Sequence, residues 1–463
     1  MSMGIDYNET FAPVPQLATF RIMLALAAAF DWEVRQGDVN SAFLSAEMDT
    51  EVWARIPNWF TTEPEVTAKG YIYRRVLKGV NGIPQGPRLF YRKLRAILQA
   101  AKMEQAKCEY TLYYDNSRKL YLLIWVDDLF LFYPKDADKH ARELWSYLRK
   151  NLDLDEWYDI EDCLGCTITR DRAKRTVTLD QTSAVEKLLS KVGMENCEAR
   201  DTPMTAGLKL SKESCPTIAE KATMVSDQKW YLSVVASLIY IMNWTRPDIA
   251  YALTNLCRFM HNPGKTHITA LKHLLRYMKG TKGWGLRYEP RAGTAKQGVY
   301  GLYDSSHADC PDTRRSTMAY TFYYSGCLIS WHTKLHSYVT LSSNHSEYCG
   351  AAKAAREAKW LTNLFSTIGL AKLALPVDLF SDSQGAIAMV YNPVYRSASK
   401  HVDLADHYVR EQQERGEITV SYISTKDMTA DALTKALGGQ LFEKHRAMMV
   451  AEIRAFSFSN KLR

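Results

Sequence analysis

The segment "YLLIWVDDLFLFY", Tyr121–Tyr133, is the most informative about the fold of the N-terminal part of this chain. Two adjacent acids, Asp127 and Asp128, interrupt a run that is otherwise apolar and aromatic enough for the interior of a sheet. The pattern predicts two β-strands joined by a tight turn. Aspartate is common in such turns, so a plain hairpin explains the pair. Carboxylates at a hairpin tip also suit a metal site, but that interpretation needs further acids elsewhere in the chain.

Length and composition describe a globular protein. The chain has 463 residues, of which 46% are hydrophobic and 24% charged, and this predicts two or three folded domains without long disorder. The N-terminus lacks a signal-peptide pattern, and the longest early apolar run, Ile22–Phe30, is too short to span a bilayer. We therefore expect a soluble intracellular protein without a membrane partner.

Cysteine usage and charge give two further expectations. The nine cysteines include one C-x-x-C pair, Cys163 and Cys166, without a second pair at zinc-finger spacing, so we expect reduced thiols. The formal net charge is +8 and the isoelectric point is near 8.8, which mildly favours a polyanionic partner.

Helix and strand patterns divide the chain into three parts. Mixed helical and β-rich segments run to "NCEARDTPM" (Asn196–Met204), and a mostly helical part follows from Trp230 to Tyr288. Glu289–Gly298 is predicted as a linker, after which strands and helices alternate as in an α/β domain. There, "SYVTLSS" (337–343) is predicted as a strand and "TADALTKAL" (429–437) as a helix.

A third acid, Asp38, lies in the β-prone stretch "VRQGDVNSAF". Alone it is explained as an exposed acid near a turn. Together with Asp127 and Asp128 it would place three oxygen ligands on one face of a sheet, which suits Mg²⁺. Two such ions clamp the attacking and leaving oxygens of a phosphoryl transfer. The set of three therefore favours a metal site.

Basic residues follow one face of the helix predicted in "PRLFYRKLRAIL". Arg88, Arg92 and Arg95 stand at positions i, i+4 and i+7. Such a stripe suits the backbone of a nucleic acid, and a solvated helix face explains it equally well.

Ordered blocks of the sequence resemble the reverse transcriptase region of copia-type LTR retrotransposons. They are "YNETFAPVPQLATFRIMLALAAAFDWEVRQGDVNSAFLSAEMDTEVWARIPNWF", "VNGIPQGPRLFYRKL", "LLIWVDDLFLF", "NCEARDTPM" and "TRPDIAYALTNLCRFMHNPGKTH". The resemblance implies that Asp38, Asp127 and Asp128 are the polymerase metal ligands. It also implies that Phe43 stacks under the sugar and rejects a 2′-hydroxyl, and that Gln85 contacts the incoming nucleotide or the template.

The chain departs from this family pattern in two places. Trp125 replaces the usual tyrosine before Val-Asp-Asp, which affects the positioning of the primer. The family's basic β-hairpin, whose lysines and arginines grip the nucleotide triphosphate, normally lies upstream of the first block. We therefore expect fingers that are partly missing and an incomplete nucleotide pocket.

The C-terminal α/β part offers four separated acids, Asp304, Glu347, Asp382 and Asp431. Each alone is explained as the end of a strand or the start of a helix, where an acid favours the helix dipole. As a set they stand at strand ends and helix starts of one sheet, where α/β folds build their sites. Four carboxylates there need a neutralising partner, and metal ions would supply it.

Two long blocks around these acids resemble the RNase H domain of the same elements. They are "DCPDTRRSTMAYTFYYSGCLISWHTKLHSYVTLSSNHSEYCGAAKAAREAKWL" and "KHVDLADHYVREQQERGEITVSYISTKDMTADALTKAL". The resemblance implies that the four acids form a two-metal site that hydrolyses the RNA strand of an RNA–DNA hybrid. Ser306 and His345 stand where the family commonly has further acids, and His401 and His407 match family positions to which we assign structural roles.

The predicted fold is an α+β polymerase palm within an N-terminally incomplete right-hand fold, then a helical middle segment, then an α/β RNase H-like domain. The predicted bounds are 1–205 for the reverse transcriptase domain, 206–298 for the helical thumb or connection segment with its linker, 299–440 for the RNase H-like domain and 441–463 for a C-terminal tail.

The resemblance predicts an RNA-directed DNA polymerase with RNase H activity, using two Mg²⁺ or Mn²⁺ ions per active site. Its partners would be an RNA template, a DNA primer, an RNA–DNA hybrid, deoxynucleoside triphosphates and other parts of the parent polyprotein. Arg88 and Arg92 are the predicted basic contacts to the substrate. The predicted location is the cytoplasm, in a virus-like particle, or the nucleus. The alternative is a polymerase-inactive remnant that acts as a hybrid-specific ribonuclease or only binds nucleic acid.

Overall fold

The computed structural model describes residues 9–56, 72–289, 298–392 and 403–453, without the side chains of residues 222 and 403–407. Contacts within the chain divide it into two compact units. The first unit consists of Met1–Phe20 with Phe30–Ile160, and the second of Arg21–Ala29 with Glu161–Arg463.

The first unit is built on an antiparallel sheet with the strand order β4-β5-β6-β7-β1-β8, beside a two-stranded ribbon of β2 and β3. Its elements are α1 (Leu17–Phe30, which has residues in both units), β1 (Glu33–Asp38), β2 (Trp53–Ile56), β3 (Ile72–Arg75), α2 (Gly86–Ala100), β4 (Glu104–Gln105), β5 (Leu112–Asp115), β6 (Leu120–Trp125), β7 (Asp128–Tyr133), α3 (Asp138–Asn151) and β8 (Tyr158–Asp159).

The core of the first unit lies between this sheet and the helices α2 and α3. Strands β6 and β7 are buried along almost their whole length, which explains why their sequence is continuously apolar. Helix α3 packs Trp145 against β1 at Gly37, where a Cβ atom would lie only 2.4 Å from Trp145 Cζ2. The glycine before Asp38 is therefore required by this close approach.

The second unit contains two five-stranded sheets, β18-β12-β11-β10-β9 and β15-β14-β13-β16-β17, and several helices. Its elements are β9 (Asp162–Cys163), β10 (Cys166–Asp171), β11 (Thr176–Asp180), α4 (Thr182–Lys191), α5 (Ile218–Thr223), α6 (Val225–Trp244), α7 (Ala250–Cys257), α8 (Lys265–Gly280), β12 (Trp284–Tyr288), β13 (Val299–Ser306), β14 (Thr317–Tyr324), β15 (Cys327–Leu335), α9 (Ser343–Thr367), β16 (Val377–Ser381), α10 (Gln384–Tyr391), α11 (Asp403–Glu414), β17 (Ile418–Tyr422), α12 (Gly439–Met449) and β18 (Ala451–Glu452).

The second of these sheets is mixed, and helix α9 packs against its centre. Strands β13, β16 and β17 run parallel to one another, β14 pairs antiparallel with β13, and β15 pairs antiparallel with β14 at the edge of the sheet. The buried face of α9 is rich in alanine, including Ala351, Ala354, Ala355 and Ala358. These small side chains let the helix approach the sheet closely, and this brings the first turns of α9 next to β13.

The predicted fold class is confirmed, with an α+β unit followed by helices and an α/β sheet. Two local predictions were wrong. "SYVTLSS" is not a strand, because its apolar residues Tyr338, Val339 and Leu341 are exposed and Ser342 caps α9 by accepting a hydrogen bond from the His345 N–H. "TADALTKAL" does not form an α-helix but contains a short 3₁₀ helix, Thr429–Leu433.

Other predictions fall partly outside the described residues. Most of the predicted linker, His401 and the end of the predicted C-terminal tail lie there, as does the side chain of His407. Residues 441–453 of that segment form most of α12 and the strand β18. The predicted domain bounds stay predictions. Within the described ranges, none of the helices combines the length and the apolar character needed to cross a bilayer.

Candidate active sites

The predicted hairpin of the first unit is present, and its tip is a two-residue turn of Val126 and Asp127 between β6 and β7. Val126 has a φ angle of 59°, which is unfavourable for a side chain branched at Cβ. Strain of this kind costs roughly 1–3 kcal/mol and persists where the surrounding structure enforces it, often at functional sites. The buried strands on either side enforce it here, and they hold Asp127 exposed at the tip.

Strand pairing brings Asp38 next to this tip. Asp38 ends β1 and lies opposite Asp128 at the start of β7, and the Val39 N–H donates to the Asp127 carbonyl at 3.1 Å. Partial burial, then the charges of Asp127 and Asp155, raise the pKa of Asp38. The first three predicted ligands are therefore neighbours, with Asp38 and Asp128 on two adjacent strands and Asp127 in the turn before β7.

The three carboxylates do not converge on one point. Asp128 Oδ1 accepts a hydrogen bond from Gln36 Nε2 at 3.3 Å. Within the part of the chain that the structure describes, Asp38, Asp127 and Asp128 do not form a group whose ligand atoms all lie within 4.8 Å of one another. The ligand assignment stays a prediction.

The two residues predicted to contact the nucleotide, Phe43 and Gln85, lie in a 3₁₀ helix of the first unit and at the start of α2. Phe43 is half-buried in a 3₁₀ helix and contacts Phe90 edge to face, with ring centroids 6.4 Å apart. Gln85 is fully buried at the start of α2, where its Nε2 lies 3.5 Å from Thr50 Oγ1. Its Oε1 is buried without a hydrogen-bond partner among the described residues. Gln85 is thus enclosed, whereas part of Phe43 is accessible.

Two arginines of the predicted basic stripe on α2 form ion pairs with acids from distant parts of the sequence. Arg88 is buried and pairs with Asp49 at 2.5 Å, while Arg92 is exposed and pairs with Glu9 at 2.7 Å. The two pairs are linked, because each arginine also lies 3.6 Å from the other's acid. Two positive charges therefore meet two negative charges, and this weakens the local positive potential.

The second carboxylate set does converge. Asp304 lies in β13, Glu347 in the second turn of α9, and Asp382 directly after β16. Each residue contributes one carboxylate oxygen to a group of three atoms that lie within 4.8 Å of one another, which is close enough to hold one metal ion. Because β13 and β16 are parallel neighbours, their carboxyl ends meet at one edge of the sheet. The packing of α9 against β13 brings Glu347 to the same place.

Burial makes this cluster electrostatically unfavourable without a cation. Asp304 and Glu347 are 1% and 8% exposed. Burial, then the charges of Asp304 and Asp382, raise the pKa of Glu347 far above its usual range. Glu347 Oε2 is also buried with no hydrogen-bond partner in the described structure. An unpartnered oxygen among three hard carboxylate ligands fits a divalent cation such as Mg²⁺.

Asp431, the fourth predicted acid, is held by a lysine that the sequence analysis missed. Lys435 Nζ lies 2.8 Å from Asp431 Oδ1 and 3.3 Å from Asp304 Oδ2. Burial and Asp304 raise the pKa of Asp431 although Lys435 opposes the shift. Lys435 follows Asp431 by four residues, a spacing that commonly brings an acid and a base together on a helical turn. That spacing is the signal that could have identified it.

Two threonines, also missed, position the acids. Thr434 Oγ1 donates a hydrogen bond to Asp304 Oδ2, and Thr425 Oγ1 donates to Asp382 Oδ2 at 2.8 Å. Hydroxyl groups that bond a ligand's oxygen fix its orientation, as outer partners do in metal sites. No local sequence pattern indicates these contacts, because they join residues 130 and 43 positions apart.

Comparisons with protein families and with individual proteins both find similarity to reverse transcriptases and the polyproteins that contain them. A family model described as "Reverse transcriptase (RNA-dependent DNA polymerase)" matches residues 2–206. The chain is 35% identical over 444 residues to the retrovirus-related Pol polyprotein from transposon TNT 1-94 of Nicotiana tabacum. This alignment covers 95% of the present chain and 32% of that protein. It is 32% identical to the retrovirus-related Pol polyprotein from transposon RE2 of Arabidopsis thaliana, with 95% and 29% covered. The chain thus spans about a third of the length of these relatives.

Among solved structures, a foamy viral protease–reverse transcriptase in complex with an RNA/DNA hybrid aligns with 87% of this chain and 45% of that chain. The identity is 12% and the TM-score 0.47, so this likeness carries no conclusion about the present chain. Residues 2–206 thus match the reverse transcriptase family, and 95% of the chain is similar to retrotransposon Pol polyproteins, in agreement with the copia-type resemblance of its sequence blocks.

Proposed function

We propose that the chain is an RNA-directed DNA polymerase that also hydrolyses the RNA strand of an RNA–DNA hybrid. The single observation that carries the nuclease activity is the convergence of Asp304, Glu347 and Asp382 at one sheet edge. The match of residues 2–206 to the reverse transcriptase family model supports the polymerase activity.

The proposed partners follow from these two activities. They are an RNA template, a DNA primer, the RNA–DNA hybrid, deoxynucleoside triphosphates and other parts of the parent polyprotein. A location in a cytoplasmic virus-like particle or in the nucleus is proposed from the family resemblance.

In the nuclease site, the chain supplies a rigid set of hard oxygen ligands. Two divalent cations, Mg²⁺ or Mn²⁺, bound there would activate a water molecule and stabilise the leaving oxygen of a phosphodiester. Asp304 and Glu347 are held by β13 and α9, and the hydroxyl groups of Thr434 and Thr425 orient Asp304 and Asp382. Lys435 offsets the negative charge of Asp304 and Asp431.

In the polymerase site, the strained hairpin would hold Asp127 and Asp128 beside Asp38 as cation ligands. Carboxylates there would bind cations together with the phosphates of a nucleotide, because Mg²⁺ usually completes its coordination with substrate phosphates and water. The accessible part of the Phe43 ring would contact the sugar. Arg92 would contact the nucleic-acid backbone only by leaving Glu9.

A second candidate is a ribonuclease whose polymerase site is inactive. The contrast between the two carboxylate sets favours it, since the described acids of the first unit do not converge as those of the second do.

Both functions are tested with the purified full chain. One assay measures cleavage of labelled RNA in an RNA–DNA hybrid, and the other measures extension of a DNA primer on an RNA template, each with Mg²⁺ and with chelator. We expect cleavage and extension that both need the metal. Metal-dependent cleavage without extension would establish the second candidate, and the absence of cleavage would contradict both.

A further inference from the structure

A cationic side chain already lies among the nuclease acids. Lys435 Nζ is 2.8 Å from Asp431 Oδ1, and 3.4 Å and 3.3 Å from Asp304 Oδ1 and Oδ2. The two carboxylates are almost completely buried, whereas the lysine side chain is 37% exposed. The two carboxylates in turn raise the pKa of Lys435 although its burial opposes the shift. The ammonium group therefore neutralises a buried pair of acids from the solvent side.

The four acids fall into two groups that share Asp304. Asp304, Glu347 and Asp382 bring ligand atoms within 4.8 Å of one another, and Glu347 Oε2 has no partner among the described residues. Asp431 is not a member of this group, and its contact with Asp304 passes through Lys435. One ligand group is thus open to a cation, while the other is occupied by a cation of the chain itself.

We infer that Lys435 is a positioning residue that takes the place of the second divalent cation and must leave before that cation binds. Cations would then bind in order. The group of Asp304, Glu347 and Asp382 fills first, and the pair of Asp304 and Asp431 fills at a higher concentration. The inference rests on the proposed nuclease function, because it concerns the ligands of that site.

Displacement of Lys435 is physically feasible. Its side chain is a flexible four-carbon stem, and its exposed part gives the ammonium group a route to solvent without any change in the backbone. Displacement also weakens the second binding step, because the incoming cation has to replace charge-assisted contacts to two carboxylates. Contacts of this kind are strong enough to change a binding constant by about tenfold or more.

The inference is tested by titrating the full chain with Ca²⁺, which prefers the same oxygen ligands, and following heat and thermal unfolding. We expect two binding steps in the wild type. In Lys435→Gln the midpoint of the second step should fall at least about tenfold, while the first stays within about twofold. Lys435→Arg keeps the charge and should retain the wild-type midpoints. Lys435→Met, which keeps the stem, repeats the test with a second neutral side chain should Lys435→Gln fail to fold.

A matched control is available in the same unit. Lys359 pairs with Glu417 at 2.6 Å and is 34% exposed, so Lys359→Gln removes a comparable ion pair away from the four acids and should leave both midpoints unchanged.

Two failures are distinguishable. Absence of Ca²⁺ binding in the wild type would contradict the proposed nuclease site itself. Two steps in the wild type with an unchanged second midpoint in folded Lys435→Gln or Lys435→Met would overturn only the role of Lys435. Loss of both steps in those folded variants would also overturn it, because Lys435 would then support the ligands instead of competing with a cation.

Discussion

The two carboxylate sets of this chain differ in how completely the fold assembles them. In the second unit, strands and a helix distant in sequence bring Asp304, Glu347 and Asp382 together in a buried cluster. In the first unit, Asp38 and Asp128 lie opposite each other on adjacent strands, and Asp127 is exposed at the turn. Carboxylates that are buried close together repel one another, and a bound cation relieves this repulsion. Partly exposed carboxylates are solvated by water and do not require a cation.

This difference follows from the secondary structure that carries each set. Directly opposite residues of an antiparallel pair are kept about 4.5–5.5 Å apart at Cα by the strands, so their carboxylates meet only by turning toward each other. A helix packed against a parallel pair has no such restriction. In the proposed polymerase site, the first set would therefore depend more on ligands that a bound nucleotide adds, whereas the protein alone assembles the second set.

The largest expected effect is a separation of the two activities by single substitutions. Glu347→Gln should lower hybrid cleavage by at least about a hundredfold, because loss of a ligand costs no less than loss of an outer partner. Asp127→Asn should lower primer extension as strongly and leave cleavage nearly unchanged, because the two sites have separate ligands. Both activities are measured on each purified variant, with circular dichroism as the control for folding. Loss of cleavage in folded Asp127→Asn would contradict the presence of two separate sites.

A second expected effect concerns the sugar of the incoming nucleotide. Phe43→Ala should raise the use of ribonucleotides relative to deoxyribonucleotides by roughly 10- to 200-fold, since a steric gate discriminates by volume. Single-nucleotide extension with each sugar measures this ratio. Leu44→Ala is the matched control, because Leu44 is 48% exposed in the same 3₁₀ helix. Equal ratios in the wild type and in Phe43→Ala would remove Phe43 from the polymerase site.

A smaller effect concerns pH and the buried cluster. Burial, then Asp304 and Asp382, raise the pKa of Glu347, so the folded protein keeps a proton that the unfolded chain releases above about pH 4.3. The stability contributed by this proton is present at low pH and is lost as the pH rises toward the folded pKa. In chelator, we expect the unfolding free energy of the wild type to fall relative to Glu347→Gln by up to about 1.4 kcal/mol per pH unit over roughly pH 5–8.

Comparison with the variant is needed because three buried or half-buried histidines of the second unit contribute slopes of the opposite sign. Burial lowers the pKa of each to about 4, so their contribution to stability is lost as the pH falls from about 6.5. They are His332, His336 and His445. The histidines are present in both proteins, so their slopes cancel when the unfolding free energy of Glu347→Gln is subtracted from that of the wild type. Parallel curves of unfolding free energy against pH for the two proteins would show that Glu347 ionises normally.

The smallest expected effect concerns the basic stripe of the first unit. Arg92→Met should reduce the slope of log binding constant against log salt for a hybrid by about 0.7–1, if Arg92 leaves Glu9 for a phosphate. The unfolding free energy should change by less than about 1 kcal/mol, because the ion pair is exposed. Arg142→Met is the control, since Arg142 is similarly exposed and paired with Asp138. An unchanged slope in Arg92→Met would show that Arg92 does not contact a phosphate and only forms its ion pair with Glu9.

Local patterns of the sequence predicted much of the secondary structure. The apolar run around Asp127 and Asp128 predicted a hairpin, and the hairpin is present. The pattern failed at "SYVTLSS", because alternating apolar residues indicate a strand only where one face of the segment packs against a core. Tyr338, Val339 and Leu341 are exposed instead.

The sites themselves depend on contacts that sequence patterns do not contain. All four acids of the second unit could be named from the sequence, but the separation of Asp431 from the other three by Lys435 results from tertiary packing. In the same way, periodicity placed Arg88 on a basic face and could not reveal that Asp49, a residue 39 positions away, covers it. The charged partner of a side chain is often distant in sequence, and its position determines whether that side chain is accessible to a ligand.

Crystallography tests the contrast between the two carboxylate sets most directly. The full chain is crystallised with Mn²⁺ and without nucleotide, and anomalous scattering locates the ion. We expect an anomalous peak coordinated by Asp304, Glu347 and Asp382, and a weaker peak or none at Asp38, Asp127 and Asp128. A fully occupied ion at the hairpin of the first unit, with none at the buried cluster of the second, would contradict this expectation.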